Sequence, residues 1–429
     1  MILTINIKKI NDSFVGFGLG LLFLPWALRI VSYMYGVIEY IKVSHLNVLG
    51  TIIIGFGTIL YLLTGQSQIK DIPKGYRLWF ISVSLWILWM LVLGIIKQYP
   101  WVIILQETCG VTLFLSGVIY GISRDEGHVL DFIYPKGMLW IGVPIIIAGI
   151  YLADDVSLEY LRRSYAYDAS LMLMPATFFI LYMNRIKSKY TKACIWISFF
   201  TYAISQFIFA KRAPMLRVII FLSIGLFLMP SWLGKSRSRT SNVLLLIAFL
   251  LLFIVMVNLL NVEAFDTFLK RIGGFGAFWG DISSTEEHEL EMFRLTEIGI
   301  FFENMDLKDI IYGTGIGSFV VDPRLEGWEL NVGYFGDMIE GKNVLHIGLF
   351  WSFFKGGMLF FLLFNIGIIY ILSSFKKFLI KPIAINCWAF LFIMFLFSFI
   401  EGFWMQPGVE LTTFLVGASV GICLNNIDN

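Results

Sequence analysis

The chain has 429 residues, 58% of them hydrophobic and 14% charged, against roughly 45–50% and 25% in soluble domains, which excludes a water-soluble fold of this size. With 41 Phe, 13 Trp and 18 Tyr it carries more apolar surface than chain entropy can keep open, so disorder is excluded too. A formal charge of +2 creates no global field that would attract nucleic acid.

A spanning helix needs about 20 mostly apolar residues. Runs of that kind predict an all-α polytopic membrane protein with about 12 transmembrane helices in a single membrane domain over 1–429. In chain order they fall at 14–36, 45–64, 78–96, 101–122, 137–153, 169–184, 192–210, 214–233, 242–262, 345–373, 383–404 and 408–424. The first run follows Lys8 and Lys9 as a signal peptide would, but no small-x-small cleavage site follows it, so it reads as a retained membrane helix. Cys109, Cys194, Cys387 and Cys423 lie inside apolar stretches without CxxC spacing and read as packing residues. No internal repeat is visible, which weighs against solenoids and repeat-built transporters.

Twelve spans require alternate loops to share a side. Loops on the N-terminal side hold 17 Lys and Arg between Lys8 and Lys381; short loops on the other hold 6, namely Lys42, Lys97, Arg162, Arg163, Lys211 and Arg212. The positive-inside rule then puts both termini in the cytoplasm. Residues 263–344, an 82-residue connection between the ninth and tenth runs, fall outside it, and function is expected to concentrate there. Within it, Ser284 and Glu287 form a capping-box pattern that predicts a helix over 285–304. Asp306 as N-cap and Gly313 as C-cap glycine predict a second over 307–312.

Several residues stand out against this background, each with an ordinary alternative. Lys211, Arg212 and Arg217 are cations on the side that the bias disfavours. Snorkelling to lipid phosphate explains Lys211 and Arg217 equally well, whereas Arg212 is held in a short loop where its guanidinium could grip a lipid-linked phosphate. Arg163 could pair with local acids or serve the same purpose, and Arg294 lies between Glu291 and Glu297 on the predicted helix. Gly313-Thr314-Gly315-Ile316-Gly317-Ser318 lacks the preceding strand of a dinucleotide site. It reads as a tight turn that could lend N–H groups to an anion. His346 is either an interfacial polar residue or a base. The run at 345–373 is long and is broken by Lys355-Gly356-Gly357. Arg29 and Lys355 are close enough to segment ends to snorkel, which leaves Glu107 as an awkward acid at membrane depth. His288-Glu289 lacks the second His of a zinc site, because position 292 is Met; neither a metal nor another cofactor is indicated.

Taken in order, Ala210-Lys211-Arg212-Ala213-Pro214, Arg294 to Glu297, Tyr312 to Phe319, His346 and Gly356-Gly357 resemble the O-antigen polymerase and O-antigen ligase superfamily over roughly residues 155–375. Arg163, before Tyr165 to Ala169, looks like the family's Arg ahead of a helix, without its usual Pro-Asn; His346 is followed by Ile347 where Asn is usual. The resemblance implies a GT-C-like bacterial glycosyltransferase in the cytoplasmic membrane. It would transfer glycan from undecaprenyl pyrophosphate on the outer leaflet to a sugar hydroxyl of an acceptor, without a metal. Arg212 and Arg294 would stabilise the leaving pyrophosphate with His346 as base, and Asp337, Glu340 or Asp322 would stand behind it. Arg163, Lys211, Arg217, Gly315, Gly317, Asp337 and Glu340 would contact pyrophosphate or glycan. The partners implied are lipid-linked oligosaccharide donor and acceptor, membrane lipids and a chain-length regulator, with no nucleic acid. Polymerase is preferred to ligase because the missing Pro-Asn and His-Asn are ligase-like features. The rival of another class is a flippase or transporter of lipid-linked sugars.

Overall fold

Among the described residues, the long helices fall on apolar runs of the sequence. The computed structural model describes residues 10, 12–22, 44–63, 69, 72–123, 189–208, 298–320, 330–331, 338–339, 348–378, 381–399, 405 and 410–427. In chain order the helices are α1 (Asp12–Leu22), α2 (Ser44–Leu63), α3 (Lys74–Ile96), α4 (Trp101–Ile122), α5 (Lys189–Ile208) and α6 (298–303). They continue with α7 (Leu307–Tyr312), α8 (Gly348–Ser373), α9 (Phe375–Phe378), α10 (Pro382–Phe397) and α11 (Glu410–Asn426). One short antiparallel pairing, β1 (Leu330–Asn331) with β2 (Met338–Ile339), interrupts the helical pattern.

Among the described residues, α2, α3, α4 and α8 are long and apolar enough to cross a bilayer, and α1, α10 and α11 are shorter apolar helices. This is an α-helical protein embedded in a membrane. The run at 101–122 coincides with α4, and those at 45–64, 78–96, 192–210 and 408–424 differ from α2, α3, α5 and α11 by a few residues. The run at 383–404 yields a shorter α10, because the chain turns at Ser398, whose hydroxyl donates to the Phe395 carbonyl at 2.6 Å. Runs at 137–153, 169–184, 214–233 and 242–262 lie outside the described residues.

Internal contacts divide the chain into two compact units, residues 1–135 with 294–429 and residues 136–293. In the second, the described element is α5, where Trp196 stacks on Phe200 at 5.3 Å.

The first unit is built around α4, most of whose length is buried. Its partner α11 runs parallel to it in a contact made by small residues. A Cβ on Gly117 or Gly121 would collide with the carbonyl oxygens of Phe414 or Ala418, and one on Gly417 or Gly421 with those of Phe114 or Val118. Gly117–Gly121 and Gly417–Gly421 are therefore reciprocal small-xxx-small pairs. Dispersion and backbone contact replace the hydrophobic drive that lipid cannot supply between helices.

α3 runs antiparallel to α8. The buried residues of α3, Tyr76, Trp79, Phe80, Val83, Ile87, Met90 and Gly94, follow helical spacing. Two indole N–H groups from that face donate to α8 carbonyls, Trp79 to Leu363 and Trp86 to Gly356, each at 2.9 Å. The opposite face exposes Leu78, Ile81, Leu85 and Leu88, an arrangement unfavourable in water and favourable against acyl chains. At one end of this pair the Tyr76 hydroxyl meets Ser374 Oγ at 3.2 Å, close to Lys376 and Lys377 of α9. At the other end, Lys97 pairs with Asp309 of α7 at 2.6 Å.

Gly417→Leu is expected to drive α11 away from α4, with an overpacking cost of roughly 1–3 kcal/mol or more. A lower melting temperature and a smaller monodisperse fraction after detergent extraction would register it. Wild-type behaviour would refute backbone-level contact between the two helices.

Candidate functional site

The segment from Asp306 to Phe319 is arranged by its own sequence. The Asp306 carboxylate accepts the Asp309 N–H at 2.7 Å and so caps α7, and Gly313, at φ 85°, ends it. Both features match the expected 307–312 helix. Of the helix expected over 285–304, residues 298–303 are helical and 285–297 lie outside the described residues. Burial lowers the Lys97 pKa, but the Asp309 hydrogen bond and neighbouring negative charges outweigh it and hold it above the ordinary lysine value. The contribution of the Lys97 charge is therefore complete at neutral pH and, on the alkaline side, is lost as pH rises through that raised value.

Beyond α7 the glycine-dense turn runs inward between α3, α4 and α8. Its path depends on a break in α8 at Gly357, where φ is 70° and ψ −178°. Such a break frees carbonyls of the preceding turn, and at membrane depth they need new donors. The turn provides them: Thr314 N–H donates to Phe354 O and Gly315 N–H to Lys355 O, both at 3.0 Å, while Trp86 serves Gly356 O. The Thr314 and Ser318 hydroxyls lie 2.7 Å apart, with the Phe354 and Gly315 carbonyl oxygens as acceptors at 2.9 and 2.8 Å. Ile316 N–H donates to Met90 O of α3 at 2.9 Å, an approach that is possible because residue 94 is Gly: a Cβ there would strike the Ile316 carbonyl. Gly315 and Gly317 hold φ values of 93° and 91°, a region that side chains with a Cβ rarely enter.

At the centre of this arrangement is a buried ion pair. Lys355 Nζ lies 2.7 Å from Glu107 Oε1, and both side chains are 0% exposed. Glu107 Oε2 accepts the Gly317 N–H at 2.7 Å, and Lys355 Nζ donates to the Ser318 carbonyl at 2.5 Å. The ammonium also stands 5.3 Å from the centroid of the Phe354 ring. Lys355 thus does not snorkel as its sequence position suggests. It points inward because Glu107, otherwise uncompensated in α4, attracts it and the turn supplies further partners. Neither half of the pair is signalled by a motif, although the cost of isolated charge in lipid is reason to match one acid with one base.

Of the candidate site residues, Gly315 and Gly317 are described, and their N–H groups are engaged by Lys355 O and Glu107. Arg163, Lys211, Arg212, Arg217, Arg294, Asp337, Glu340 and His346, together with Asp322, lie outside the described residues. The elements next to two of them are in contact: the Phe301 and Phe354 rings pack edge to face at 4.4 Å, and Phe302 packs on Phe353 at 5.3 Å. Compared with known proteins, the sequence matches no family model and no curated protein.

Lys355→Met and Glu107→Gln should each destabilise the protein by about 3–5 kcal/mol, because each strands a buried partner. The double variant Glu107→Leu with Lys355→Met should recover much of that loss in a thermal melt. Additive losses would mean that the two side chains do not act as a pair.

Proposed function

We propose that the chain is a metal-independent glycosyltransferase that polymerises polyprenyl-pyrophosphate-linked oligosaccharide repeat units into surface polysaccharide. It would be a twelve-span protein of the bacterial cytoplasmic membrane, with both termini inside and 263–344 on the outer face. The observation that carries the reading is the convergence of α6 on the start of α8. Arg294 is four residues ahead of residue 298 in the sequence, His346 is two residues ahead of Gly348, and the Phe301 and Phe302 rings of α6 pack on Phe354 and Phe353 of α8. The elements leading from a candidate phosphate-binding cation and from a candidate base therefore meet. They do so at the end of the bundle where Lys97 pairs with Asp309, which the charge bias assigns to the exterior.

In the proposed reaction, an acceptor sugar hydroxyl attacks the anomeric carbon of the donor. A new C–O bond forms, the bond to pyrophosphate breaks, and polyprenyl pyrophosphate leaves with the electron pair. Arg212 and Arg294, assisted by Arg163, stabilise the charge that develops on the leaving group, and His346 takes the acceptor proton. Asp337, Glu340 and Asp322 are the reserve candidates for the base. The turn at 313–318, fixed to three helices, supports the chain between the two converging elements.

The observation that would favour a transporter instead is the charge pair at membrane depth. Its groups are enclosed and bonded to one another, to Gly317 and to Ser318, a pattern suited to holding the turn. A ligase acting on lipid A core would use the same donor and differ in acceptor.

Arg212→Ala and Arg294→Ala should each abolish chain growth while leaving the protein inserted. A gel of surface glycan from a deletion strain carrying either variant should keep the band for a single repeat unit on lipid A core and lose the ladder. Wild-type ladders would sink the roles of the arginines. Loss of all glycan-capped bands, with lipid-linked polymer accumulating, would identify a ligase.

A further inference from the structure

The first part of α8, residues 348–356, is separated from the rest by the break at Gly357, whose φ of 70° and ψ of −178° belong to a region that only glycine enters readily. An unbroken helix keeps its direction because each turn is bonded to the next. Across the break that constraint is gone, so the direction of residues 348–356 has to be set from outside. Away from the break, the Leu349 N–H donates to Ser398 O at 3.0 Å. Along the side, Phe353 and Phe354 meet Phe302 and Phe301 of α6, contacts whose apolar attraction is non-directional and tolerates sliding. Next to the break, Lys355 reaches Glu107 of α4.

Joining two helices does not call for charges. Apolar side chains of similar volume would hold α4 to α8 as firmly or more so, because no ions would have to be desolvated. What the pair adds is direction. Glu107 Oε1 takes Lys355 Nζ at 2.7 Å, Glu107 Oε2 takes the Gly317 N–H at 2.7 Å, and Lys355 Nζ donates to Ser318 O at 2.5 Å. Groups from α4, α8 and the glycine turn are thereby held in one register, since charge-assisted bonds are short and weaken steeply once their angles are lost. The backbone has no slack beside them: a Cβ on Gly357 would strike the Ile311 carbonyl and the Gly313 nitrogen, and one on Gly313 the Lys355 carbonyl.

We infer that Glu107 and Lys355 are positioning residues for glycosyl transfer, an inference that rests on the proposed function. They fix the direction and register of residues 348–356, which His346 precedes by two positions in the sequence, against α6, which Arg294 precedes by four. Both side chains are 0% exposed, so they act through the backbone they hold and not on the reacting atoms. A misplacement of about 1 Å between groups that act together costs roughly a hundredfold in rate.

The test separates stability from turnover. The full-length double variant Glu107→Leu with Lys355→Met replaces the pair by apolar side chains of similar size. It is purified for thermal melting and expressed in the deletion strain, where the rate of ladder growth from the strain's own lipid-linked repeat units is measured well below the melting midpoint. The variant should melt within a few degrees of wild type, keep the band for a single repeat unit, and extend the ladder roughly a hundredfold more slowly. Should it not fold, Glu107→Asp, which keeps the charge and withdraws the carboxylate by one methylene, should slow growth roughly tenfold under the same conditions. Wild-type growth in the folded variant, or growth that falls only in step with melting temperature, would overturn the positioning role alone. If the wild-type gene itself restores no ladder to the deletion strain, the glycosyl-transfer reading falls and this role with it.

Discussion

A carboxylate and an ammonium placed inside apolar helices must find each other or carry a desolvation penalty of several kcal/mol apiece. Glu107 on α4 and Lys355 on α8 meet this constraint by pairing at 2.7 Å in full burial, and the surrounding structure follows from that contact. An ion pair alone would still leave lone pairs and protons unmatched. The remaining capacity is directed at the backbone of one loop, through Gly317 N–H on the acid and Ser318 O on the base. Neither contact would form in this geometry if residues 313–319 ran elsewhere, so the pair selects the path of the turn as well as joining two helices.

The same loop resolves a second problem. The break at Gly357 opens α8 in the membrane, and the Phe354, Lys355 and Gly356 carbonyls take donors from Thr314, Gly315 and Trp86. Helix break and glycine turn are thus complementary: each supplies the groups that the other lacks. Behind them, the glycine contact between α4 and α11 fixes the helix that carries Glu107, and the indole bonds from α3 fix the helix that carries Lys355. This frame underlies the contact between α6 and α8 on which the proposed chemistry rests.

Much of the frame was legible in the sequence because its causes are local. Span lengths follow from bilayer thickness, and the apolar run at 101–122, between the charges of Lys97 and Arg124, coincides with α4. Asp306 and Gly313 announced α7 through capping chemistry that acts over a few residues. The break near Lys355-Gly356-Gly357 was visible as a charge and two glycines in an apolar run. What could not be read was non-local. Nothing near Lys355 says that it turns inward; that depends on an acid in another helix and on a carbonyl in another loop. The engagement of the Gly315 and Gly317 amides was likewise hidden, since a glycine-rich turn looks alike whether its amides face a ligand or the chain itself. Arg212 stood out against the charge bias of the loops, but the grouping of Arg163, Arg212, Arg294 and His346 into one site rested on order and resemblance, a signal that no local physics reproduces.

The central claim is that the Glu107–Lys355 pair holds the glycine turn in place. Hydrogen–deuterium exchange of the 313–319 amides in detergent tests it most directly, comparing wild type with Lys355→Met at a temperature where both remain folded. Strong protection at Gly315, Ile316 and Gly317 in wild type, lost in the variant while α4 and α11 stay protected, is the predicted result. Equal protection of the turn in both proteins would contradict it.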